Sequence, residues 1–140
     1  PEARERLVRH MAGNNAPKTA TAPLALVLSA DSSFHEHFPT TFPVLPDARE
    51  NFSGMPVEAR EDMAMRNAFL QVAYLIVGVR AAGLAAGPMT GFDAEGLREE
   101  LFGADSTQTP LVVMNIGRPG PDAWFDRLPR LDYEAAVTEI

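Results

Sequence analysis

A chain of 140 residues with 46% hydrophobic residues can bury a core, so a disordered tail is excluded. Its net charge of -7 excludes a surface built to neutralise nucleic-acid phosphates by charge alone. The absence of cysteine excludes a disulfide framework, a thiolate metal site and a cysteine nucleophile, and it suits a reducing cytoplasm.

In chain order, Glu2 to Met11 puts Leu7, Val8 and Met11 on one face with Arg and Glu opposite, an amphipathic helix that Gly13 and Asn14 end before a loop. The chain starts at Pro1 as if already inside a protein, and further residues upstream are expected. "APLALVLSA", Ala22 to Ala30, is a short apolar run that predicts a strand buried on both faces. Asp31 is placed to cap a short helix through Phe38. The aromatic and proline-rich stretch to Pro56 predicts an irregular excursion, either a lid or interface arm or a structural loop. Its phenylalanines Phe34, Phe38, Phe42 and Phe52 lie in a segment too irregular to bury them itself, which predicts a partner surface.

A long helix is expected from Pro56 through Arg80, half-exposed at its entry and wholly buried at its end. The apolar stretch Ala68 to Ala82 is shorter than the roughly 20 residues that a membrane span requires and is broken by Gln71 and Arg80, so it reads as core. "FDAEGLREELFG" predicts a second helix with Asp93 as N-cap, Glu95 in its first turn and Gly103 as its stop. "TPLVVMNIG", Thr109 to Gly117, predicts a second buried strand, and a helical turn or two is expected from Tyr133 to Ile140. His10, His35 and His37 are too scattered for a metal motif and read as solvated polar positions.

Between the long helix and the capped helix runs "GLAAGPMTGFD", Gly83 to Asp93. Gly83 serves as a left-handed helix cap and Gly87-Pro88 as a turn. Gly91 is needed for neither. It permits close backbone approach by something flat, or else supplies an unusual φ.

Taken together, "LQVAYLIVGVRAAGLAAGPMTGFD", "LVVMNIG" and "RLPRLDYEAA", in that order, resemble the FMN-dependent nitroreductase family, most closely the branch that contains malonic semialdehyde reductase. The likeness runs from the first helix through Ile140. It implies an α+β fold over residues 1–140, with a mostly antiparallel sheet sandwiched by helices, in an intertwined homodimer with two FMN sites at the interface. It implies that Pro88, Met89, Thr90 and Gly91 lie against the isoalloxazine. Many nitroreductases carry glutamate where this chain has Thr90, which leaves nicotinamide positioning and acceptor preference open. The resemblance also places Arg127 and Arg130 near the FMN phosphate, without deciding between them.

The family's N-terminal arginine-rich motif and the asparagine-containing loop after it are not recognised in these residues, and they would lie upstream of Pro1. The implied activity is ping-pong transfer from NADH or NADPH through the flavin to a small acceptor: an aldehyde such as malonic semialdehyde, a nitroaromatic or a quinone. The alternatives are a non-catalytic flavin-binding module and a structural dimerisation domain.

Overall fold

The computed structural model describes residues 2–121, 123 and 125–140. Helix α1 (Glu2–Arg9) has acids in its first turn and Arg6 and Arg9 in its last, as the helix dipole favours, and buries Leu7. A second helix, α2 (Asn15–Thr21), stands where the sequence predicted only loop. Its segment "NAPKTAT" has no apolar periodicity. A tertiary contact holds it instead: Thr19 is fully buried and its Oγ1 accepts a bond from Asn115 Nδ2 at 3.3 Å.

Strand β1 (Leu24–Asp31) follows, and it is half-buried rather than covered on both faces, with only Ala30 fully enclosed. The reason is its place in the sheet. Strand order is β1-β3-β2, so β1 is an edge. Asp31 caps no helix. Its Oδ1 accepts from Ser33 N at 2.8 Å and Thr107 Oγ1 at 2.6 Å, closing the turn out of the strand.

The excursion is built of a 3-10 turn (Phe34–His37), α3 (Phe38–Thr41) and α4 (Ala48–Ser53). Its phenylalanines meet one another: Phe38 and Phe52 lie 5.0 Å apart edge to face, and Phe34 is 5.7 Å from both. Local helical turns therefore gather the rings that an irregular coil would have left for a partner. Arg60 fastens the segment by donating to Ser32 O at 3.3 Å and Met55 O at 2.8 Å. His35 is buried beside Phe34, contrary to the solvated position expected for it.

Helix α5 (Val57–Ala81) lays Ala64, Val72 and Val79 on the sheet. Its apolar end is not wholly buried. Phe69, Leu70, Tyr74 and Val77 are exposed, Tyr74 to 80%, because a three-stranded sheet covers one stripe of a helix and this sequence is apolar nearly all round. The helix stops as expected at Gly83, whose φ is +75°, with Leu84 N donating to Val79 O at 3.1 Å and Gly83 N to Arg80 O at 3.0 Å.

The chain then turns directly into strand β2 (Ala85–Met89), so Gly87-Pro88 is not a turn: Gly87 pairs with Asn115 and Pro88 with Met114. Proline, which cannot donate to a ladder, is tolerated because β2 is the other edge of the sheet. Helix α6 (Ala94–Phe102) begins with the expected cap, Asp93 Oδ1 accepting from Gly96 N at 3.1 Å.

Strand β3 (Gln108–Gly117) lies between β1 and β2, antiparallel to both. Its side chains alternate between two cores. Val112, Met114 and Ile116 face α5, whereas Val113 joins Leu7, Met11 and Leu97 on the side of α1 and α6. This is the expected α+β architecture, a helix-covered antiparallel sheet. Beyond β3 the chain is an exposed tail carrying one short helix, α7 (Tyr133–Ala136).

Ion pairs join α1 to α6. Glu100 Oε2 is 2.5 Å from His10 Nε2, and Glu100 Oε1 receives Arg6 Nε at 3.0 Å and Arg9 Nη2 at 2.6 Å. These bonds, His10 first, hold the Glu100 carboxyl down to about 2, well below its ordinary value of 4.5. A depressed carboxylate stabilises the fold above its unfolded pKa and loses that contribution as pH falls towards the folded one. Melting temperature should therefore decline between about pH 4.5 and pH 2 in the native protein. Glu100→Gln should flatten that part of the profile; an unchanged acid limb would show that the pairs contribute nothing.

Candidate functional site

The sheet's edges and ends decide where a ligand can reach backbone. At the start of β1, the end of β3 and along β2 lies an open cleft of about 650 Å³. Gly87, Pro88 and Met89 form one wall and Pro23 another; Asn115 and Ile116 lie between them, and Lys18 and Arg118 bring positive charge. The strand period explains the selection. Asn115 pairs across the ladder with Gly87, which has no side chain to cover it, and Met89 of β2 reaches its carboxamide only through Sδ, 4.0 Å from Nδ2.

Asn115 is only half satisfied. Its Nδ2 donates to Thr19 Oγ1, but its Oδ1 is buried with no hydrogen-bond partner. An unpaired buried acceptor costs about 1–3 kcal/mol, which a ligand N–H would relieve. The cleft thus combines an apolar wall, an acceptor in want of a donor and two cations at its rim. That donor set fits a flat heteroaromatic ring with N–H groups and an attached anion.

Among the residues singled out from sequence, Pro88 and Met89 line this cleft. Thr90 is exposed just beyond β2, and Gly91 follows it, half-buried. The φ of Gly91 is not positive, which removes the unusual-φ account of it. Close approach does occur there, from within the chain. A Cβ at position 91 would stand 2.7 Å from Asn15 Nδ2, and that nitrogen donates to Gly91 O at 3.0 Å.

Arg127 and Arg130 are not brought into the cleft. Both are exposed on the tail, and Arg130 Nη1 bonds Leu128 O at 2.7 Å and Pro129 O at 3.3 Å. Asn15, Lys18, Asn115 and Arg118 were missed. Asn115 and Arg118 lie within and beside the "NIG" motif, whose asparagine had no assigned task; Asn15 and Lys18 belong to the helix that sequence periodicity did not reveal. Among the described residues, no cluster of three or more His, Asp or Glu side chains could hold a metal ion.

An antiparallel sheet between helices, with a cleft along one edge strand, is the class that fold and site define. The sequence profile of the Nitroreductase family matches residues 1–118. A Streptomyces coelicolor protein named "Putative NADH dehydrogenase/NAD(P)H nitroreductase" is 62% identical over 141 residues, an alignment that covers 100% of this chain and 70% of the relative. One from Leptothrix cholodnii with the same name is 42% identical, over 99% of this chain and 70% of its own length. Among solved structures, a "putative nitroreductase in complex with FMN" from Exiguobacterium sibiricum has a similar fold, with a TM-score of 0.85 at 16% identity, covering 99% of this chain and 72% of that one. The chain belongs to the nitroreductase family and is an oxidoreductase.

The half-satisfied carboxamide gives a test of what Asn115 serves. Asn115→Leu removes an orphaned acceptor but also the bond to buried Thr19, so the ligand-free protein should melt modestly lower than the native one. Calorimetric titration with FMN should show weakened binding. A steep loss of ligand-free stability with unchanged FMN affinity would assign the carboxamide to the fold.

Proposed function

We propose that this nitroreductase is an FMN-dependent NAD(P)H oxidoreductase of the cytoplasm, active as a homodimer on a small acceptor. The observation that carries the reading is the orphaned Asn115 Oδ1 in a cleft that also has the Pro88-Met89 wall and the Lys18 and Arg118 cations. Bound FMN supplies the redox chemistry, passing electrons from NADH or NADPH to the acceptor.

The chain's own groups bind and orient. Pro88 and Met89 give the ring an apolar surface, and the Thr90-Gly91 backbone meets its polar edge. Asn115 Oδ1 accepts from a ring N–H, which fixes the ring's orientation across the strand. Lys18 and Arg118 draw the phosphate to the rim. Arg127 and Arg130, which lie on the tail, reach the phosphate of an FMN held by a second copy.

Thr90 places a neutral hydroxyl beside the ring, so no fixed carboxylate charge opposes an anionic substrate there. The acceptors of this reading are a small aldehyde acid of the malonic semialdehyde type, a nitroaromatic or a quinone. The named relatives are NAD(P)H nitroreductases by description, and the semialdehyde acceptor rests on the resemblance of the sequence motifs alone.

The homodimer is supported by uncovered apolar surface. Phe69, Leu70, Tyr74 and Val77 on α5 face outward, and so do Phe125, Leu128 and Leu131 on the tail. Burying a side chain of this kind contributes roughly 1.5–3 kcal/mol, and a monomer forgoes all of it. Sedimentation equilibrium at micromolar concentration should give twice the subunit mass, and Tyr74→Glu with Val77→Glu should shift it to monomer. A native monomer overturns the dimer.

The cofactor reading is tested by the visible spectrum of the purified protein and by titration. FMN should bind and riboflavin should bind more weakly. Replacing the phosphate-contacting residue among Lys18, Arg118, Arg127 and Arg130 by alanine should cost about 1.5–3 kcal/mol for FMN and little for riboflavin. A native protein that takes up no FMN and consumes neither NADH nor NADPH sinks the proposal.

A further inference from the structure

The segment from Thr90 to Asp93 does not hang free between β2 and α6. It is zipped to the connector between α1 and α2. His10 O accepts from Asp93 N at 2.8 Å, Met11 forms an antiparallel bridge with Phe92, and Ala12 N donates to Gly91 O at 3.0 Å. The zipper ends in a side chain, Asn15 Nδ2, which donates to the same Gly91 carbonyl at 3.0 Å. Gly91 O thus receives two donors, one main-chain and one carboxamide, and both come from the connector side.

The space around Gly91 is set by the same side chain. A Cβ built at position 91 meets Asn15 Nδ2 at 2.7 Å, closer than real contacts allow, and the next atom outside Asn15 is Ala12 Cβ at 3.9 Å, an ordinary distance. Asn15 alone therefore creates the crowding. Among the described residues no backbone acceptor takes the Gly91 amide. With its carbonyl held by two donors, the Gly91–Phe92 peptide plane keeps one orientation.

We propose that Asn15 is a positioning residue: its carboxamide clamps the Gly91 carbonyl and so fixes the path of the backbone that leaves the Pro88-Met89 wall of the cleft, and glycine at 91 is required by Asn15 rather than by the ligand. The inference rests on the proposed FMN site and changes what the glycine is for. A ring lying on Gly91 would demand a bare Cα whatever stands at position 15. A clamp demands it only while Asn15 is there.

The two accounts separate in a double-mutant cycle of Asn15→Ala and Gly91→Ala, read by FMN titration, by melting of the ligand-free protein and by the visible band of bound FMN. Gly91→Ala should lower both melting temperature and FMN affinity, since the methyl group drives Asn15 off the carbonyl. Asn15→Ala should keep the fold, because Ala12 N still holds Gly91 O. It should weaken FMN by about tenfold, the effect of one good hydrogen bond, and shift the visible band as the Thr90-Gly91 backbone, then held by Ala12 N alone, gains freedom beside the cleft.

The double variant should recover the melting temperature of Asn15→Ala and bind FMN as that single variant does. Gly91→Ala that melts normally yet loses FMN, with no recovery on adding Asn15→Ala, overturns the clamp and returns the glycine to the ligand. Asn15→Ala with native affinity and an unshifted band also overturns it. A native protein without FMN uptake, by contrast, removes the cofactor reading itself and the positioning role with it.

Discussion

Everything in the fold hangs on β3 being covered on both faces. A strand in the middle of three gives its even-numbered side chains, Val112, Met114 and Ile116, to one core and Val113 to the other. A slip of one residue would exchange the two sets and put Asn115 among the aliphatic side chains of the α5 core. The register is thus fixed by hydrophobic burial, and the register in turn places Asn115 opposite Gly87. The polar acceptor of the candidate site is a by-product of the strand alternation that builds the core.

From this strand outward, constraint passes to the site through backbone rather than through side-chain acids. Met89 is held by pairing with Val113, and the next residues leave the sheet for the α1–α2 connector, where His10, Ala12 and Asn15 take hold of them. The Glu100 pairs sit behind this zipper. His10 contributes its carbonyl to Asp93 N and its ring to Glu100, so the ion pairs that join α1 to α6 also anchor the connector. Partly exposed ion pairs contribute little singly, but one carboxylate shared by His10, Arg6 and Arg9 restricts α1 from three directions.

What could be read from sequence follows the range of the forces involved. Strands β1 and β3, helix α5, the Asp93 cap and the Gly83 stop are written in local pattern, and each formed where expected within a few residues. Helix α2 was not legible because Thr19, a polar residue, is its buried anchor. Strand β2 was misjudged because "AAGPM" carries every local sign of a turn and becomes a strand only through β3. Pro88 and Met89 were singled out by resemblance and line the cleft, whereas Lys18 and Asn15 depend on α2 and could not be placed without it. The role of Gly91 was narrowed to two accounts from sequence. Only the fold brings in Asn15, 76 positions away along the chain.

The cleft and the uncovered apolar surface are not independent. Arg118, Pro119 and Gly120, which leave β3, form part of the cleft's lining, and so does Phe125, which is 93% exposed. The residues that carry on from there, Leu128, Leu131 and Tyr133, present more apolar surface to solvent. The tail therefore starts as a wall of the site and continues as an unpaired apolar arm. If covering the arm and binding a ligand both order this wall, each favours the other by the same free energy. In the proposed dimer, dilution towards monomer should then weaken the cofactor, and removal of the cofactor should weaken the dimer.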